Sequence, residues 1–62
     1  MMQLKFIGTN GSMGLVNGKT YVVRVFSQHG YIWVEIWFMK EKTKKLCPYE
    51  TPQSFARNWE AV

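Results

Sequence analysis

The chain has 62 residues, 47% of them hydrophobic and 16% aromatic, with one cysteine, one histidine and a formal net charge of +4. A chain this short buries only about 60% of the surface its unfolded form exposes, which leaves room for one small domain spanning the sequence and for no second core. One cysteine cannot form an internal disulfide and no Cys/His cluster stands ready to hold a structural metal, so dense packing and self-association are the remaining supports.

Gln3 to Ile7 is a short apolar and β-branched segment closed by Gly8, and it reads as a first strand. The next ten residues form a loop, in which Asn10, Gly11, Ser12 and Gly14 favour turns while Met13, Leu15 and Val16 supply apolar anchors. Asn17-Gly18 is a strong turn dipeptide and leads into a second strand, Lys19 to Ser27. Side chains in a strand alternate with period two, so Tyr21, Val23 and Val25 share one face, read as the core face, and Val22, Arg24 and Phe26 share the other.

Gln28-His29-Gly30 has the composition of a three-residue hairpin loop, which makes Tyr31 to Met39 a third strand antiparallel to the second. Its even positions are Ile32, Val34, Ile36 and Phe38, and its odd positions are Tyr31, Trp33, Glu35, Trp37 and Met39. Both faces are largely apolar, whereas a small barrel has one interior. The β-branched even face is assigned to the core and the odd face, with Glu35 and amphipathic tryptophans, to the outside. At the level of sequence the reverse assignment stays open.

A charged connection, Lys40-Glu41-Lys42-Thr43, precedes a fourth strand over Lys44 to Pro48, whose lysines mark a protected edge. The pattern then changes period: Thr51 can cap a helix, Pro52 suits its first turn, and Phe55 and Trp59 lie four apart on one face as core residues. The expected fold is therefore all-β, a small barrel of four or five antiparallel strands with a short C-terminal helical turn.

The series Lys5-Phe6-Ile7-Gly8, Gly14-Leu15, Asn17-Gly18-Lys19, Tyr21-x-Val23, Cys47-Pro48-Tyr49, Pro52, Phe55 and Asn58-Trp59 resembles a group of short bacteriophage and prophage proteins with an SH3-like barrel. The resemblance covers nearly the whole chain and implies that fold, with a function largely unassigned in the group. Some very small phage proteins of this type counter host defences by binding a host protein or sequestering a nucleotide signal. The chain departs from the group in its charged segment Lys40 to Lys45 and its tryptophan-rich third strand.

Tyr31, Trp33 and Trp37, with Arg24 and Phe26 on the neighbouring strand, form the leading candidate for a partner-binding surface, because Trp, Tyr and Arg dominate binding hot spots. Such a surface is open to a second copy of the chain, to a foreign protein, or to simple packing beneath the long N-terminal loop. Lys40, Lys42, Lys44 and Lys45, with Lys19, offer phosphate contacts for a nucleic-acid reading. Asn10, Gly11 and Ser12 offer backbone amides to a nucleotide phosphate, without the Gly-Lys-Ser/Thr ending of a nucleotide-binding loop.

Catalysis is disfavoured, since aspartate is absent, Glu35, Glu41, Glu50 and Glu60 are the only acids, and His29 and Cys47 fall on separate elements. No cofactor and no metal site is read. No stretch approaches the roughly 18 apolar residues of a membrane span, and Met1 to Ile7 lacks the pattern of a signal peptide. The expected setting is the cytoplasm, of a host cell if the chain is phage-encoded. The expected role is a non-enzymatic interaction module with an accessory or anti-defence function, with a basic nucleic-acid-binding barrel and a nucleotide-sequestering oligomer as alternatives.

Overall fold

The computed structural model describes residues 2–62, so Met1 lies outside the described residues. It contains five strands, β1 (Met2–Phe6), β2 (Thr20–Gln28), β3 (Tyr31–Phe38), β4 (Thr43–Tyr49) and β5 (Trp59–Ala61), with a 3₁₀ turn at Ser12–Gly14 and one helix, α1 (Pro52–Asn58). All pairings are antiparallel, and the strands lie in one sheet in the order β4-β3-β2-β1-β5. The all-β architecture with a short C-terminal helix is thus the observed one.

One face of the sheet holds the core. Leu4, Phe6, Tyr21, Val23, Val34, Ile36, Tyr49 and Trp59 are buried, joined by Leu15 from the long loop. The even residues of β3 therefore point inward, which settles the face assignment. Trp59 stacks edge-on against Phe6 at 5.1 Å and Tyr21 at 6.2 Å, and its indole nitrogen donates to Tyr49 Oη at 2.9 Å. That buried bond ties β5 to β4, the two outermost strands of the sheet, across the span of α1.

Three local readings change. The hairpin between β2 and β3 pairs Gln28 with Tyr31, so its loop has two residues, His29 and Gly30, instead of the expected three. Both have positive φ, 53° and 80°, as a type I′ turn requires, and that turn's twist matches the strands it joins. Helix α1 is capped as expected, with Thr51 Oγ1 accepting from the Ser54 amide at 3.0 Å and proline in the first turn, but it ends at Asn58. Trp59 is therefore extended and pairs with Phe6 in β5, while Phe55 packs half-buried from the helix. Finally, β4 runs from Thr43 to Tyr49, one residue longer at each end than expected, and β3 stops at Phe38, so that Met39 joins Lys40 to Lys42 in the turn.

The long loop is fastened at both ends. Gly8 is required where the chain leaves β1, because a Cβ there would collide with the Asn58 side chain and the Phe6 ring. Farther on, the Val16 amide donates to Tyr21 Oη at 2.9 Å, and Asn17 Nδ2 donates to the Gly8 carbonyl at 2.8 Å.

Candidate aromatic docking face

The outer face of β2, β3 and β4 is built in rows set by strand register. Phe26, Trp33 and Pro48 form one row, Arg24, Glu35 and Leu46 the next, and Val22, Trp37 and Lys44 a third, with Gln28 beside Tyr31 at the hairpin end. The fold thus brings together Tyr31, Trp33, Trp37, Arg24 and Phe26. It also adds Leu46 and Pro48, which the sequence reading left out. Alternation along the fourth strand places Leu46 with Lys44, yet only the register shows that Leu46 borders Glu35.

Tyr31 is 40% exposed and Leu46 48% exposed, whereas Trp33 and Trp37 are half-buried by their neighbours. Tyr31 and Trp33 pack against each other at 6.1 Å, and the Trp33 indole donates to the Gln28 carbonyl at 3.1 Å. The long loop sends Leu15 into the core on the opposite side and receives Lys45 Nζ at its Met13 carbonyl, 3.3 Å. Packing beneath that loop therefore does not account for the exposed stripe.

Glu35 is the residue whose role the sequence concealed. Although it points outward, it is only 6% exposed, because Trp33 and Trp37 flank it along β3 and Arg24 and Leu46 flank it across the ladder. Its carboxylate receives Arg24 Nε at 3.2 Å on one oxygen and stands 3.7 Å from Lys44 Nζ on the other. A buried carboxylate without such partners would be strongly unfavourable, so the two cations are what allow it there. Each cation also covers an aromatic ring: Arg24 lies 4.7 Å from the centre of Phe26 and Lys44 lies 5.1 Å from that of Trp37. These contacts fix the orientation of both side chains at the surface. Trp37 Nε1 is buried without a hydrogen-bond partner among the described residues.

The basic residues do not form one stripe. Lys44 lies on the outer face, Lys45 on the inner face above Phe38, and Lys40 and Lys42 on the turn that follows β3. Lys19 sits over the Tyr21 ring at 5.4 Å. With Lys40 it lines a shallow groove of about 330 Å³ between the end of the long loop and the turn after β3.

In the glycine-rich segment, the amides of Gly11, Ser12 and Gly14 donate to the carbonyls of Leu15, Thr9 and Gly11, and Asn10 Oδ1 accepts from the Asn17 amide. These groups are engaged within the loop and do not converge on a common point outside it. His29 lies in the hairpin turn, and Cys47 is half-buried against the core on β4.

No family model, curated protein or solved structure matches the chain. No helix among the described residues is long and apolar enough to cross a membrane. Fold and site together define a small β-sheet domain with an aromatic outer face and fixed cations at its centre.

Proposed function

We propose that the protein is a non-enzymatic interaction module that binds a protein partner through the outer face of β2, β3 and β4. The observation that supports this reading is the contiguity of Tyr31, Trp33, Phe26, Leu46 and Pro48 around the Arg24–Glu35–Lys44 cluster. Aromatic and arginine side chains held in place by intramolecular contacts lose little freedom on binding, which is the economy of a pre-organised hot spot. A nucleic-acid reading draws less support, because the cations over Phe26 and Trp37 occupy ring faces that bases would stack on. The resemblance to short phage proteins adds an accessory, host-inhibiting role in the host cytoplasm, exercised by occupying a host protein.

Affinity capture from bacterial lysate, comparing wild type with Trp33→Ser/Leu46→Glu, tests the face. A protein retained by wild type and lost with the variant is the expected result; equal retention by both overturns the assignment. Sedimentation at micromolar concentration reads the second-copy alternative, since a wild-type dimer that the same variant converts to monomer makes the partner another copy of the chain.

A further inference from the structure

We infer that the partner presents a carboxylate to Arg24, set among apolar side chains, so that the face recognises an acidic and hydrophobic protein segment. The inference rests on the docking face proposed above and names its chemistry.

Three features of Arg24 lead there. Its Nε is spent on Glu35 at 3.2 Å, and its guanidinium is 4.7 Å from the Phe26 ring centre, so its plane is held from one edge and one face. Its side chain nonetheless remains 56% exposed, and its terminal nitrogens have no acceptor among the described residues. A guanidinium held in this way offers its remaining edge as a planar fork, the geometry that receives a carboxylate through two parallel hydrogen bonds.

The charge around it agrees. Glu35 is the one acid on the outward positions of β2, β3 and β4, and it is buried beneath Arg24 and Lys44, each 56% exposed. What faces an incoming partner is therefore two cations over one covered anion, a local excess of one positive charge. Docking excludes water from all three groups, and a single carboxylate from the partner restores neutrality; a second cation or an apolar surface leaves the excess in place. Leu46 and Trp33 border the cluster, which places apolar side chains of the partner beside its acid. A phosphodiester chain needs cations spaced along its path. Here Lys44 and Lys45 point to opposite faces, and a single excess charge at the centre suits one carboxylate.

The test is selection of binders from a library of random short peptides by wild type, Arg24→Gln and Trp33→Ser. Peptides enriched by wild type are expected to carry Asp or Glu next to aromatic or aliphatic residues, and their affinity is expected to fall about ten- to hundred-fold with Arg24→Gln. Arg24→Lys, which retains the positive charge but lacks the fork, is expected to weaken the same peptides and guards against misfolding of the glutamine variant. Apolar peptides without acids, bound in a Trp33-dependent way, overturn the inference and leave the docking face standing. Absence of any Trp33-dependent peptide overturns both. Displacement of the selected peptides by single-stranded oligothymidylate at low salt, with binding tighter than any peptide, makes the acceptor a phosphate and likewise overturns the inference.

Discussion

Tyr49 shows how much one side chain can carry in a protein of this size. It ends β4 and is 8% exposed, and its hydroxyl accepts the Trp59 indole proton at 2.9 Å. Burial raises its phenol well above the ordinary value of 10.0, the contact with Cys47 raises it further, and the Trp59 donor pulls it partly back. A raised phenol is neutral in the folded state while the unfolded chain ionises near its ordinary value, so the unfolded state binds fewer protons above that pH. The stability linked to Tyr49 is accordingly complete below about pH 10 and declines as pH rises beyond it. Tyr49→Phe is expected to lose about 1–3 kcal/mol at neutral pH, because the Trp59 donor is left buried without an acceptor. Above pH 10 the gap between the two proteins should narrow, since phenylalanine has nothing to ionise. Urea midpoints measured from pH 7 to 11 check both statements, and a gap that widens with pH contradicts the assignment.

The β2–β3 hairpin is the element on which the face depends, since its register sets Phe26 beside Trp33 and Arg24 beside Glu35. Its turn places a non-glycine residue, His29, at φ 53° ahead of Gly30 at φ 80°. Asparagine adopts that conformation at lower cost and is the preferred residue before glycine in a type I′ turn. His29→Asn should therefore stabilise the protein by roughly 0.5 kcal/mol with no change in partner binding, read from thermal melts and the capture assay.

Much of this element was legible from alternation alone. Tyr21, Val23, Val34 and Ile36 fall on the inward parity of their strands and are buried, and Arg24, Phe26, Tyr31 and Trp33 fall on the outward one. What alternation does not contain is the neighbour across the ladder. Part of the cover over Glu35, Trp33 and Trp37 two residues away on its own strand, follows from alternation, and the rest, Arg24 on β2 and Leu46 and Lys44 on β4, is set by register. Similarly, the four-residue spacing of Phe55 and Trp59 reads as helical, while the pairing of Trp59 with Phe6 that ends the helix joins opposite ends of the chain. Alternation along the fourth strand does separate Lys44 from Lys45, and the structure agrees, with Lys44 over Trp37 on the outer face and Lys45 over Phe38 on the inner one.

For the whole molecule, size decides which aromatics are expendable. At about 0.05–0.15 kcal/mol per residue, a domain of this length holds roughly 3–9 kcal/mol of stability in total. Trp59 is 3% exposed and touches Phe6, Tyr21 and Tyr49, and removing a buried tryptophan costs about 3–5 kcal/mol. A single core in a chain under about 70 residues rarely supplies more than about 3–5 kcal/mol, so Trp59→Ala should leave much of the chain unfolded at 25 °C. Trp33 lies half-buried on the outer face with its ring against Tyr31, so Trp33→Ser should cost only about 1 kcal/mol and lower the melting temperature by roughly 4–8 °C. Circular dichroism melts of the two variants compare the faces directly. Unfolding by Trp33→Ser would mean that the outer aromatics are part of what holds the sheet together and that the docking face was wrongly separated from the core. Retention of the β-sheet spectrum by Trp33→Ser, beside its loss in Trp59→Ala, would show that a chain with little stability to spare keeps an exposed aromatic surface that folding does not require.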